Sequence, residues 1–214
     1  MLGVRKNTSI NLCMLEAGII PVKDLILRRR NKFLRTKLDN VDLEIPFNMI
    51  YNMCRDHNTP GYRFLSNAMQ QNEMYPLNKI SEYVRREAIN ATKLRTYISD
   101  FNPSLTVHGV YSTDRYIPDF YRTSFSRLRL MSHNLRVETG RWSRTPAHLR
   151  TCPCDDASVQ TEEHVLTACV LTENCRGRYT MLNFNNINSL MNENENLFEL
   201  CKYVHDVLGI YASA

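Results

Sequence analysis

Glycine and proline are scarce, seven and eight residues in 214, which excludes a collagen-like, linker-like or low-complexity chain. No apolar run approaches the roughly 18 to 20 residues needed to cross a bilayer, so no membrane span is expected. The segment MLGVRKNTSINLCMLEAGIIPV interrupts its apolar residues with Arg5, Lys6, Asn7, Asn11 and Glu16 and makes a poor signal peptide. There is no Walker-type phosphate loop, no His-Glu-x-x-His, and no His-x-Glu followed by Pro-Cys-x-x-Cys, so zinc-hydrolase and deaminase chemistry lack their general base. Internal repeats and heptad arrays are also missing, which argues against a solenoid or coiled coil.

What is present suffices for a folded core: 43% of the residues are apolar and the length allows one domain or two small ones. The cysteines number seven. An odd total at short spacing, without a secretory signal, fits reduced thiols or metal ligands in an intracellular compartment rather than disulfides. The choice between nucleus and cytoplasm is open.

The net charge of +5 hides an asymmetry. Residues 1–40 hold nine Lys/Arg against three Asp/Glu, and 120–150 hold seven Arg against Glu138 alone. Residues 41–119 are near neutral, eight against nine, and 151–214 reverse the sign with three basic against nine acidic residues. Clustered Lys/Arg attracts phosphates and releases their counterions, so the basic segments are candidate polyanion surfaces. The plainer alternative is a set of solvated helix faces.

Helical signals dominate. Thr8 or Ser9 can cap a helix through INLCMLEA that Gly18 closes. After Pro21, Val22, Leu25, Ile26, Phe33 and Leu34 fall at near-helical spacing with a cationic other face, and Arg28, Arg29, Arg30, Lys32, Arg35 and Lys37 form a basic element there. Pro46 starts a further helix through FNMIYNMCRDH, and Thr59-Pro60-Gly61 breaks the chain before YRFLSNAMQQ. Following Pro76, the stripe Ile80, Tyr83, Val84, Ala91, Leu94, Ile98 predicts one helix that Asn102-Pro103 ends. Residues 103–119 read as a connection. Tyr121, Phe125, Leu128 and Met131 predict a helix with arginines between, and Leu197, Cys201, Val204 and Leu208 a last one ending near Gly209. The fold expected is mainly α: an irregular helical bundle, a small loop-helix module, and C-terminal helices. Four segments are expected: 1–40, basic and helical; 41–119, a helical spacer; 120–172, an Arg-rich helix with a Cys/His module; and 173–214, acidic and Asn-rich.

Cys152, Cys154, His164 and Cys169 form the pattern C-x-C-x9-H-x4-C. In an extended segment, side chains two apart share a side, with Cα atoms about 6–7 Å apart, close enough for two thiolates to meet one tetrahedral ion. Thr161 before Glu162 and Glu163 looks like a helix start that sets His164 in the first turn. His164 and Cys169, five apart, fall off-register on a regular helix, so Cys169 joins only where the helix ends or tightens near Ala168. Cys175 and His148 are substitute ligands. The alternative is that Cys152 and Cys154 are exposed thiols and Cys169 a small core residue. Four protein ligands leave no open position for water, which would make a bound Zn2+ structural.

The stretch SRLRLMSHNLRVETGRWSRTPAHLRTCPCDDASVQTEEHVLTAC resembles the zinc-knuckle-like region that follows the polymerase domain in reverse transcriptases of non-LTR (LINE-like) retrotransposons. The matching residues are Arg127, Arg129, His133, Gly140, Arg141, Trp142, Cys152, Cys154, Thr161, Glu162, His164 and Cys169. LGVRKNTSINLCMLEAGIIPVKDLILRRRNKF is similar to the end of the thumb and start of the connector in such polymerases. The Tyr-x-Asp-Asp hairpin that would hold catalytic magnesium is missing, and Asp155-Asp156 reads as a polar turn. The resemblance therefore implies a non-catalytic fragment that binds RNA or DNA, with the polymerase part of the same element as a further partner. The implied phosphate-binding residues are Arg28, Arg29, Arg30, Arg127, Arg129, Arg136, Arg141 and Arg144. Trp142 either stacks on an unpaired base or packs against the metal loop. Two other readings stay open: a zinc-stabilised scaffold for a protein partner, and a retroelement fragment without a function of its own.

Overall fold

The computed structural model describes residues 2–6, 8–22, 25, 26, 29, 32, 52, 53, 55–60, 63, 76–111 and 116–212. The helices expected after Pro21 and Pro46 fall largely outside these, as do Arg28 and Arg30. Two compact units divide the chain: residues 1–19 with 81–214, and residues 20–80. Among the described residues the structure is mainly helical, with no strand and a single antiparallel bridge, Thr151 to Val159. No helix there is long and apolar enough to cross a membrane.

Helix α1, Ile10–Ala17, ends as its glycine predicts. Gly18 takes φ 65°, its N–H reaches the Leu15 carbonyl, and Ile19 N–H reaches that of Met14 at 2.8 Å, a left-handed close that costs glycine no Cβ clash. Leu12, Leu15 and Glu16 face inward. The single helix expected beyond Pro76 is instead broken. α2, Pro76–Ala88, stops where Ile89 and Asn90 turn back onto Arg86 and Glu87, and α3, Thr92–Thr96, restarts the chain. A wide turn, Tyr97–Phe101, follows, closed by Asn102 N–H to Tyr97 O at 2.8 Å. The interruption rotates the later residues relative to the first stripe. Ile80 and Val84 are buried as expected, but Tyr97 and Phe101 enter the core where Leu94 and Ile98 were expected.

Helix α4, Asp119–Arg129, buries Phe125 and Leu128; α5, Arg136–Trp142, follows after the turn through Met131–Asn134. The Asn-rich stretch yields the short helices α6, Glu173–Arg176, and α7, Ile187–Met191, the latter capped by the Asn186 side chain accepting from Ser189 N–H at 2.7 Å. α8, Leu197–Ala212, runs past Gly209 and packs chiefly on α4. It buries Leu197, Leu200, Cys201, Tyr203, Val204 and Val207, each large apolar side chain contributing about 1.5–3 kcal/mol of transfer free energy.

At the centre of this unit lies a polar network that the periodicity did not announce. Arg129, 1% exposed, pairs with Glu16, 0% exposed, and its Nη1 donates to Met191 O at 2.8 Å. Tyr97 Oη donates to Glu16 Oε2 at 2.6 Å and accepts from Asn102 Nδ2 at 2.8 Å. Arg129 was expected on a phosphate-binding face, and that expectation is corrected: the carboxylate of Glu16 draws its guanidinium into the core, where two buried charges persist only because they are paired and hydrogen-bonded.

Candidate metal centre and its basic surround

Cys152, Cys154, His164 and Cys169 come together, each offering one ligand atom and all four atoms lying within 4.8 Å of one another. Cys152 Sγ is 3.7 Å from Cys169 Sγ, and Cys154 Sγ is 3.3 Å from His164 Nε2. The sulfurs are not cross-linked; the described cysteines are free thiols. Such a set of three sulfurs and one imidazole can hold a metal ion. It is the one such cluster found among the described residues. Cys175 and His148, the substitute ligands, lie outside it: Cys175 is buried in α6 beside Arg178, and His148 is exposed on a short turn, Ala147–Leu149.

Local structure explains the convergence, and differs from the sequence reading at the first arm. The first arm is a turn, not an extended strand. Cys152 N–H donates to Ser158 O at 2.7 Å beside the Thr151–Val159 bridge, and Asp156 N–H returns to Cys152 O at 2.9 Å. Asp155 secures this polar turn by accepting from Ala157 N–H, Ser158 N–H and Ser158 Oγ at 3.1, 2.9 and 2.6 Å. The Ser158 hydroxyl first, then the two backbone N–H groups, hold its carboxyl well below the usual range.

On the second arm the helix ends at Ala168, as one of the two expected alternatives has it, and its last turn widens rather than tightens. Thr161 Oγ1 accepts from His164 N–H at 3.1 Å as a cap, and the next turn, His164–Ala168, closes with Cys169 N–H to His164 O at 2.7 Å. A bond spanning five residues brings side chains at i and i+5 over one another, as a regular turn cannot. The x4 spacing is thereby accommodated.

Helix α8 completes the enclosure. Tyr203 Oη donates to Leu166 O, and Tyr211 Oη lies 3.0 Å from Cys169 Sγ and 3.7 Å from Cys152 Sγ. Burial opposes ionisation of Cys169, yet the Tyr211 hydroxyl and the Leu171 N–H hold its thiol below the ordinary value. Burial, with hydrogen bonding to Cys152, Cys169 and Asp155, pushes the Cys154 thiol up. Tyr211 had no signal in the sequence, because α8 was expected to end near Gly209.

The module is tied to the preceding helices. Leu135 N–H donates to His133 Nδ1, which leaves Nε2 to donate to the buried Glu162 carboxylate at 3.0 Å. Burial raises the Glu162 carboxyl, but the hydrogen bond from His133 leads the effects that outweigh it and keep the net shift downward. Arg136 N–H donates to Gln160 Oε1 at 2.6 Å and its Nη1 to Thr151 O at 3.0 Å. Arg150, missed in the sequence, lies across Gly140, where an added Cβ would stand 2.6 Å from its Cδ, and reaches the Thr145 and Val137 carbonyls.

The remaining expected phosphate ligands divide. Arg29 is exposed, but lies in the other compact unit. Arg127, Arg136 and Arg144 are exposed in this one. Arg141 is partly neutralised by Glu138, which also accepts from Lys93 at 3.3 Å. Trp142 is 47% exposed, with the Arg5 guanidinium 3.6 Å above its ring centre, a cation–π stack that covers one face. Comparison with protein-family models, with curated proteins and with solved structures found no match.

Proposed function

We propose that this chain is a non-enzymatic nucleic-acid-binding module in which a structural Zn2+ orders the Cys/His loop and helix beside an arginine-bearing surface. The observation that carries this reading is the convergence of three thiols and an imidazole within 4.8 Å. A tetrahedral zinc with bonds of about 2.3 Å to sulfur and 2.0–2.1 Å to nitrogen has ligand separations of about 3.8 Å between sulfurs and 3.5 Å from sulfur to nitrogen. The separations of 3.7 and 3.3 Å are close to those values. Tyr211 and Gln160, whose Nε2 lies 4.0 Å from Cys152 Sγ, supply the outer-shell hydrogen bonds that thiolate ligands require. Four protein donors leave no open coordination position, so the ion stabilises and does not catalyse.

Arg127, Arg136 and Arg144 stand on the outer surface of the unit that carries this cluster. The resemblance of residues 126–169 to the post-polymerase region of non-LTR reverse transcriptases supports RNA or DNA as the ligand, with the polymerase part of such an element as a further partner. Reduced thiols fit an intracellular setting. Metal analysis beside RNA titration tests the proposal. Purified protein should carry one zinc per chain, lost in a Cys152→Ser, His164→Ala double variant. If about six phosphates are contacted, single-stranded RNA affinity should fall roughly a thousandfold between 50 and 200 mM salt. Salt-independent binding, or a chain that folds fully without metal, would refute it.

A further inference from the structure

A cleft of about 480 Å³ opens between the segment at Gly3–Arg5, the exposed side of α4, the 132–135 turn and the end of α8. That volume falls within the range of small-ligand sites. Its lining includes Arg5, Arg127, Ser124 and His205, and no Asp or Glu. Arg127 is exposed; its Nε donates to Gly3 O at 2.7 Å, and no described carboxylate pairs with its terminal nitrogens. Arg5 is fixed in direction by Trp142 beneath it and by Asn134, which accepts from its Nη2. Burial lowers the Arg5 pKa, Glu138 counters this in part, and the charge of Arg127 adds to the lowering. Both guanidiniums line the one opening.

Across the cleft His205 holds Ser124 Oγ at 3.0 Å and is wedged edge-on against Phe120 and Tyr121. Two cations lining a cleft whose own lining holds no carboxylate favour an anion there, and planar guanidinium forks favour one with several oxygens in a tetrahedral array. Tyr211, which donates to Cys169, also lines the cleft, so the cleft and the metal cluster share a wall.

We propose that this cleft seats a backbone phosphate of a single-stranded nucleic acid, held by Arg5 and Arg127. The assignment rests on the nucleic-acid-binding reading above and specifies where that strand is held. The phosphate passes between the two guanidiniums, with Ser124 and His205 as the polar wall, and the neighbouring sugar lies over the apolar floor around Leu208.

The test uses the full chain and a fluorescent twelve-residue uridine RNA, titrated by anisotropy from 50 to 200 mM salt. Arg127→Gln and Arg5→Gln should each bind about tenfold more weakly than the wild-type protein, with a salt slope smaller by about one. Arg86→Gln, which removes an exposed charge outside the cleft, sets the effect of charge alone. If the RNA binds and the cleft variants behave like Arg86→Gln, the cleft assignment is overturned while the broader function stands. If the wild-type protein binds no RNA, both fall.

Because Arg127 also holds Gly3, a readout free of substitutions accompanies this. Phenylglyoxal should modify Arg127 in the free wild-type protein, and saturating RNA should protect it, as read by mass spectrometry. Protection by inorganic phosphate at millimolar concentration but not by RNA would mark the cleft as a free-anion site and overturn the assignment to a strand. Undiminished modification under RNA would overturn it as well.

Discussion

Glu16 and Arg129 show how one residue's role depends on a partner 113 positions away. Both are charged and buried, and each is satisfied by the other together with Tyr97 and Met191 O. Removing one partner leaves an uncompensated charge: Glu16→Ala should cost about 3–5 kcal/mol, measurable by urea unfolding, whereas replacing both by apolar residues of similar volume should cost much less. Tyr211 acts at the same scale. Tyr211→Phe keeps the ring and deletes the donor to Cys169, and should weaken metal retention about tenfold in chelator competition with little change in helix content. An unchanged metal affinity would show that the hydroxyl only fills space.

Elements tell a more mixed story, because their ends carry chemistry that their interiors do not. The stop of α1 was legible from Gly18, and the apolar spacing of α4 and α8 from Phe125, Leu128, Cys201 and Val204. The break after α2 was not: Ala91, Leu94 and Ile98 continue the stripe of Ile80 and Val84, yet they are only half-buried, because the chain turns back at Asn90 and tertiary packing of Tyr97 and Phe101 outweighs local periodicity. In α5, Gly140 sits mid-helix, where glycine usually weakens a helix. The Arg150 side chain laid over it gives the reason. Gly140→Ala should destabilise by about 1–3 kcal/mol, despite alanine's better helix propensity, because Arg150 must leave three backbone hydrogen bonds or the helix must shift. Thermal melts of Gly140→Ala with and without Arg150→Ala would read this, the second substitution relieving the first.

For the whole molecule, the core network makes stability depend on pH. His108 is buried against Phe125, its Nδ1 accepts from Val110 N–H at 3.2 Å, and burial, then the nearby Arg129 charge, lower its pKa to about 3. The unfolded chain takes up a proton on this side chain below about pH 6.5, while the folded chain does not until near pH 3. Stability from neutral His108 is therefore complete above about pH 6.5 and falls as pH drops through that window, by an amount on the order of 5 kcal/mol in full. His108→Phe removes the titration. Its stability deficit relative to the wild-type chain should narrow from pH 7 to pH 4 in urea titrations, and a constant deficit would contradict the assignment.

The sequence by itself determined the helical class, the start and stop of several helices, the polarity between basic and acidic segments, and the identity of four candidate metal ligands at workable spacing. These are local properties, written in periodicity of 3.6, in caps, and in residue type. Tertiary structure decided which arginine turns inward, how a five-residue spacing closes through a widened turn, that α8 brings a phenol to the thiols, and that Arg5 and Arg127 line one cleft. Each of those depends on contacts between residues far apart in the chain, where the winning arrangement follows from burial and pairing of charge that no short window of sequence contains.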